Sequence, residues 1–380
     1  MQLALTDDQA MVAQTATAFI AEHASIARLR QLRDTQDERG YSLEVYRQMA
    51  ELGWTAMPFT EDAGGLDMGL AGTILVTEAM GRALAPEPLI PSIVLAAQAL
   101  IKGANASLKQ AWLSSAIAGE KVLALAYQER GSRYHLHHCT TRATLTDTEY
   151  VLKGEKVLVA AGPLADAFVV VARTSGDETE ASGLTMFLIP SDTPGLRVSR
   201  QWLVDSSSAA RVALNDVRVG SGAIIGNPDD ALPLLQAIID GGTVALCGEM
   251  LGGMCEAYDR TIAYLKERKQ FDTVLGSFQA LKHRAAYMFI EIELARSATM
   301  AAARAMDSGA PQAKALVSAA KARCSDAYIK VANEAVQMHG GICMTDENEI
   351  GFFLKRARTT EMTFGDAAYH RNRFARLGGY

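Results

Sequence analysis

The sequence predicts an α+β protein in which helical segments flank a central antiparallel β barrel or sandwich. Three observations carry that reading. One-sided apolar spacing runs to about residue 120, short β-rich runs broken by Gly, Pro, Asp and Ser occupy 121–228, and long apolar periodicities fill 229–380. These limits define an N-terminal α-helical domain (1–120), a middle β domain (121–228) and a C-terminal helical bundle (229–380). A chain of 380 residues, 49% of them hydrophobic, is long and apolar enough for two or three cores of this kind.

The first helix follows from Leu5 and Thr6 leading into an acidic first turn at Asp7 and Asp8, with Met11, Val12, Ala18, Phe19 and Ile20 as its apolar face. EDAGGLDMG (Glu61–Gly69) interrupts the helical pattern, and Gly64 and Gly65 read as a turn; no Rossmann or Walker spacing occurs. The strands follow from VLALAY, YVLKGEKVLV, AFVVVAR, LTMFLIP and ARVALNDVRV, each rich in residues that fit a pleated surface. In the C-terminal part, Leu316, Ala320, Cys324, Tyr328, Val331 and Val336 recur at helical spacing, and Gly340-Gly341 supplies a stop.

A formal charge of −6 argues against non-specific binding to nucleic acid or anionic membranes. The start, MQLALTDDQA, lacks a basic segment followed by an apolar core, and LIPSIVLAAQALI (Leu89–Ile101) is too short to span a bilayer, so the expectation is a cytoplasmic protein. Cys139, Cys247, Cys255, Cys324 and Cys343 form no Cys-x-x-Cys pair and read as reduced packing thiols. His135, His137 and His138 read as a polar strand edge rather than a metal site, since His135 and His137 share one face of the expected strand while His138 points away and no third ligand is near.

The most telling feature lies in the last third, where ERKQFDTVLGSFQ (Glu267–Gln279) is followed by QMHGG (Gln337–Gly341). A basic residue, an aromatic, amides and a helix-ending Gly-Gly are groups that can hold a dinucleotide's diphosphate and adenine. Together with LTDDQ, PFTEDAGGLDMG, LKGEKVLVAAGPLADAFVVVAR, LNDVRV, QMHGGICMT and KRARTTEMTFGD, taken in this order, the chain resembles the acyl-CoA dehydrogenase family over nearly its whole length.

That resemblance implies a C-terminal four-helix bundle, FAD as cofactor, and oxidation of an acyl-CoA thioester to the 2,3-enoyl-CoA. In such enzymes a carboxylate removes the α proton while the β hydrogen leaves as hydride to the flavin. It also implies a flavin ring between the β domain and bundle of one protomer, with the ADP end reaching the neighbour. By carry-over, Arg268 pairs with the diphosphate, Phe271 packs beside it, Gln279 adds an amide, and Gln337, Gly340 and Gly341 admit the adenine end.

The chain departs from the family on the flavin-ring side. Leu158 and Ala160 stand where the family has a tryptophan and a hydroxyl residue, and neither side chain can donate a hydrogen bond. Gln128, Glu129 and Arg130, followed by Gly131-Ser132, replace the Thr-Glu-Pro run. The base is missing as well. Phe364 occupies the usual glutamate position and Gly242 the alternative one, leaving Glu361 and Asp366 as weak substitutes; Asp366 also stands where the family has a threonine near the cofactor.

Retained contacts for a neighbour's cofactor, without a base, resemble the non-catalytic subunit of heteromeric enzymes acting on steroid side-chain or pimeloyl-type CoA esters, often α2β2. The expectation is therefore a subunit that completes the FAD site of a glutamate-bearing paralogue, with an electron-transfer flavoprotein as acceptor. A self-sufficient homo-oligomer with an unusual base, and a flavin-free CoA-ester binding or scaffold protein, are the alternatives.

Overall fold

The computed structural model describes residues 4–380; the first three residues of the MQLALTDDQA segment, and of the 1–120 domain, lie outside it. Helices α1 (Asp7–His23), α2 (Ile26–Asp34), α3 (Leu43–Glu51) and α4 (Gly69–Ala83) come first, followed by a π-helical stretch, Leu89–Ala97, then α5 (Gln98–Gly103) and α6 (Ala106–Ile117). Thr6 caps α1 reciprocally with Gln9, which satisfies two otherwise unpaired donors at the helix start. The buried side of α1 is centred on Ala16 and Ile20, with Val12 half-buried, while Met11 is 61% exposed and Ala18 is exposed. The apolar face drawn from the sequence is thus partly wrong, because steps of four residues stay on one helix face whereas Ala18 lies two positions from both Ala16 and Ile20.

Strands β1 (Leu123–Ala126), β2 (Arg142–Thr146), β3 (Glu149–Ala160), β4 (Ala167–Arg173), β5 (Leu184–Pro190), β6 (Leu196–Trp202), β7 (Ser208–Gly220) and β8 (Ile224–Ile225) form one sheet in the order β6-β7-β3-β2-β4-β5-β8, with β1 beside β4. Most pairs are antiparallel, but β1 runs parallel to β4, Leu123 opposite Ala167. The β2–β3 excursion between them supplies the crossover length that a parallel pair needs. Every residue of β4 is buried, which explains its unbroken AFVVVAR run, whereas β6 has no full buried face and escaped detection in the sequence.

Helix α7 (Leu232–Glu267) leads through a small hairpin, β9 (Lys269–Gln270) and β10 (Thr273–Val274), to α8 (Gln279–Asp307), α9 (Ala313–His339), α10 (Ile350–Met362) and α11 (Ala367–Leu377). By length and composition α7 is apolar enough to cross a membrane, but most of its apolar window is buried inside the protein. It is a core helix.

Contacts divide the chain into two compact units, one of residues up to Gln31, Gly69–Pro86 and Thr243–Tyr380, the other of Leu32–Met68 and Glu87–Gly242. The first is built around Met288, Ile292, Cys324, Tyr328 and Phe353. In it α4 and α7 touch backbone to backbone: a Cβ on Gly252 would lie 1.8 Å from the Glu78 carbonyl oxygen, and one on Gly81 would lie 2.0 Å from that of Glu249. The second unit centres on Phe168, Val170, Phe187, Ile189 and Leu214 of the sheet.

Candidate functional site

The residues expected to meet a diphosphate and adenine gather at one end of the helical unit. Arg268 directly follows α7, is exposed, and its side chain makes no hydrogen bond or ion pair among the described residues. Its carbonyl accepts from Leu275 N at 2.8 Å, which closes the hairpin that carries Phe271. Phe271 and Asp272 form the two-residue turn with φ of 54° and 62°, the left-handed pair that a tight hairpin demands and that glycine ordinarily fills. The turn leaves Phe271 86% exposed, edge-on to Phe278 at 6.2 Å. Gln279 opens α8 and is exposed.

The other half of the cradle is the end of α9. Gln337 is exposed on its last turn, and Gly340 caps the helix with φ 71° and ψ −148°, a conformation essentially reserved for glycine. A Cβ on Gly340 or Gly341 would meet no atom within 4 Å, so the backbone there faces open space that a ligand can approach. Tyr264, one turn before Arg268, donates its hydroxyl to the His339 carbonyl at 3.3 Å, which joins the ends of α7 and α9. An exposed guanidinium with no partner among the described residues, an exposed ring and an open Gly-Gly backbone fit the diphosphate and adenosine of FAD.

The positions expected to supply a base hold none. Phe364 sits between α10 and α11 with φ 60°, half-buried against the core of the helical unit, and Gly242 is buried within α7. Both nearby carboxylates are committed elsewhere. Asp366 is the N-cap of α11, its Oδ1 accepting from Tyr369 N at 2.8 Å, and Glu361 pairs with Arg358 at 3.0 Å.

The loop between them is held by two buried groups that the sequence reading missed. Lys321 of α9, wholly buried, donates to the carbonyls of Glu361 at 2.9 Å and Gly365 at 2.8 Å. Burial pulls it down to about 8, so it remains largely charged at neutral pH. His370 Nε2 lies 3.1 Å from the Phe364 carbonyl, which can only accept, so Nε2 carries the proton. A lysine inside the apolar stripe of α9 was the available signal.

Burial, reinforced by the charge of Lys321 and Arg373, pushes His370 down to about 3 despite the Phe364 bond and the opposing charge of Asp366. The unfolded value is near 6.5. The neutral ring therefore contributes its full stability above about pH 6.5, and that contribution is lost as pH falls from there toward about 3. His370→Gln, which keeps a donor for Phe364 O and cannot titrate, flattens this part of the profile. Between pH 7 and 5 the parent loses about 2 kcal/mol more than the variant in urea unfolding. Parallel profiles would refute this assignment.

On the expected flavin-ring side, within the sheet unit, Leu158 sits at a bulge of β3 with φ 53° and is 44% exposed; Ala160 is exposed as well. Leu158 N donates to Gln201 Oε1 at 2.9 Å, and neither exposed side chain offers a polar atom. The frame behind them is nevertheless firm. Val157 N donates to the Gln128 carbonyl at 2.9 Å, and Glu129, buried, meets Lys156 Nζ at 2.5 Å. Burial alone would raise the Glu129 carboxyl, but the Lys156 charge and hydrogen bonds from Lys156, Thr140 and Thr141 bring it to about 2. Arg130 is exposed, 3.8 Å from Glu155. At these two expected positions the exposed side chains thus offer no hydrogen bond.

The strand expected over His135–His138 does not form. That segment is irregular, tied down where the His137 carbonyl accepts from the buried Arg173 guanidinium at 2.7 Å. The His135 and His137 rings lie 5.6 Å apart, and among the described residues no three His, Cys, Asp or Glu groups converge as a metal site. Gly64, with φ 81°, ends a 3-10 turn, in line with the turn reading of Gly64-Gly65.

Comparison with known proteins bears on the whole chain. Family models described as acyl-CoA dehydrogenase N-terminal, middle and C-terminal domains match residues 6–120, 124–217 and 232–378. Acyl-CoA dehydrogenase FadE27 of Mycobacterium tuberculosis is 30% identical over 347 residues, 89% of each chain. Probable acyl-CoA dehydrogenase YngJ of Bacillus subtilis is 28% identical over 386 residues, 99% of each. Among solved structures, a chain of the ChsE4-ChsE5 complex from Mycobacterium tuberculosis superposes with a TM-score of 0.89 at 26% identity, covering 100% of this chain and 99% of that one.

Proposed function

The chain belongs to the acyl-CoA dehydrogenase family, and we propose that within it the protein serves as one subunit of a heteromeric FAD-dependent acyl-CoA dehydrogenase, completing the cofactor site of a glutamate-bearing paralogue. The observation that carries this reading is an imbalance. The groups expected at the ADP end of a neighbour's FAD are exposed, while Phe364 and Gly242 stand at both expected base positions and Leu158 and Ala160 at the positions where the family has ring-side groups. The similarity to a chain of a two-component complex, ChsE4-ChsE5, supports it.

FAD, when bound, would supply the hydride-accepting chemistry of the reaction, and the glutamate of the paralogue the base. This chain's share is to bind and orient: Arg268 neutralises diphosphate charge, Phe271 covers one side, and the Gly340-Gly341 backbone receives the adenosine. An electron-transfer flavoprotein is the proposed acceptor, and a CoA thioester the substrate.

The isolated chain is expected to purify with well under one FAD per protomer, and co-expression with the paralogue to yield a mixed assembly with about one FAD per pair. In that assembly Arg268→Ala weakens FAD binding by about tenfold to 150-fold, the loss of a charge-assisted contact of roughly 1.5 to 3 kcal/mol. One FAD per isolated chain, surviving gel filtration, would sink the proposal.

A further inference from the structure

Helix α9 must stop abruptly for the Gly340-Gly341 backbone to face outward, and the last carbonyls of a helix lack intrahelical donors. His339 is the last residue of α9, and its carbonyl receives the Tyr264 hydroxyl at 3.3 Å. The two rings stack, centroids 4.4 Å apart and planes 23° from parallel. His339 Nδ1 lies 2.8 Å from the Ala335 carbonyl, so Nδ1 carries the proton and anchors the ring to the preceding turn of its own helix. The ring is buried, and burial lowers its pKa against the pull of the Ala335 bond. Carbonyl and ring of His339 are therefore both fixed immediately before Gly340 takes up its glycine-only conformation.

We propose that Tyr264 and His339 are a positioning pair that sets the Gly340-Gly341 turn for the adenosine diphosphate end of FAD. This rests on the assignment of that turn and Arg268 to the cofactor. The pair touches no reacting atom. Tyr264 lies one turn before Arg268 on α7, and Arg268 N donates to the Tyr264 carbonyl at 2.8 Å, so the same tyrosine ties the guanidinium-bearing end of α7 to the glycine-bearing end of α9. A shift of either end separates the two halves of the cradle, and positioning errors of about an ångström are enough to weaken an oriented contact.

The test uses the assembled, FAD-loaded protein, with FAD itself as probe. Its dissociation constant is read from the fluorescence of released flavin, and the thermal midpoint of the FAD-free protein is measured alongside. Tyr264→Phe removes the hydroxyl and keeps the ring; His339→Phe keeps the stack and loses the Nδ1 donor; His339→Asn keeps a donor for Ala335 and loses the stack. Tyr264→Phe and His339→Phe are each expected to weaken FAD binding about threefold to tenfold, the range of one lost neutral hydrogen bond. His339→Asn is expected to retain more affinity than His339→Ala. Unchanged affinity in Tyr264→Phe and His339→Phe, while Arg268→Ala loses FAD, overturns the pair and leaves the cofactor assignment standing. Unchanged affinity in Arg268→Ala as well overturns both. A fall in the thermal midpoint of the FAD-free protein without weaker FAD binding reduces the pair to helix packing and also overturns the proposal.

Discussion

Glu361→Gln and Asp366→Asn each leave kcat of the mixed assembly within about tenfold of the parent, whereas replacing the partner's glutamate by glutamine costs about 100-fold to 10,000-fold. The expectation rests on what these side chains already do. Asp366 Oδ1 accepts from Tyr369 N at 2.8 Å and starts α11, a task asparagine performs nearly as well. Glu361 is joined to Arg358 at 3.0 Å in a partly exposed pair, of the kind whose loss costs at most about 1 kcal/mol of stability. Lys321 fixes the backbone of the loop that carries them, through the carbonyls of Glu361 and Gly365. FAD content must be equal across variants, since a flavin-poor assembly imitates a catalytic defect. A drop of about 1,000-fold or more in either variant, with FAD and acyl-CoA binding preserved, assigns proton abstraction to this chain and moves the homomeric reading ahead.

The parts legible in the sequence were those that leave a local trace. The AFVVVAR run reads as a buried strand because every one of its side chains is buried, and Gly340-Gly341 reads as a helix stop because little else tolerates φ 71° with ψ −148°. What escaped is non-local. β6, LRVSRQW, is an edge strand with no fully buried residue, and its alternation of Leu196 and Val198 with polar residues stops at Arg200, too short a run to stand out. The parallel pairing of β1 with β4 depends on partners about 44 positions apart, as Leu123 and Ala167 illustrate.

The same holds at the candidate site. Arg268, Phe271 and the glycines were visible as residue types in an ordered pattern, but the bond from Tyr264 to His339 joins residues 75 positions apart. Lys321 and His370 clamp a loop lying 44 and 6 positions from them. Glu129 was visible only as part of an altered ring-side run, and its burial against Lys156 depends on two strands meeting.

Gly252→Ala is expected to destabilise the protein by at least about 3 kcal/mol, although alanine is the better helix former by roughly 1 kcal/mol. Two effects of opposite sign compete, and distance decides between them. A Cβ at Gly252 would stand 1.8 Å from the Glu78 carbonyl oxygen and 2.9 Å from Arg82 N, backbone atoms of α4 that no rotamer change can move. Gly248, one turn earlier on the same face, would meet Thr77 Oγ1 at 2.3 Å and Ile74 O at 2.9 Å, so α7 cannot rotate to relieve the contact. The helices must separate, which forfeits dispersion contacts along their whole crossing. Gly351→Ala in α10 is the control, because its nearest atom, Cys343 O, is 3.9 Å away. There propensity wins, and the variant unfolds at the parental urea concentration or slightly above it. Since α7 ends at the residue before Arg268, any Gly252→Ala protein that still folds is expected to bind FAD less tightly than the Gly351→Ala protein. Parental urea stability in Gly252→Ala would show that α4 and α7 do not meet backbone to backbone.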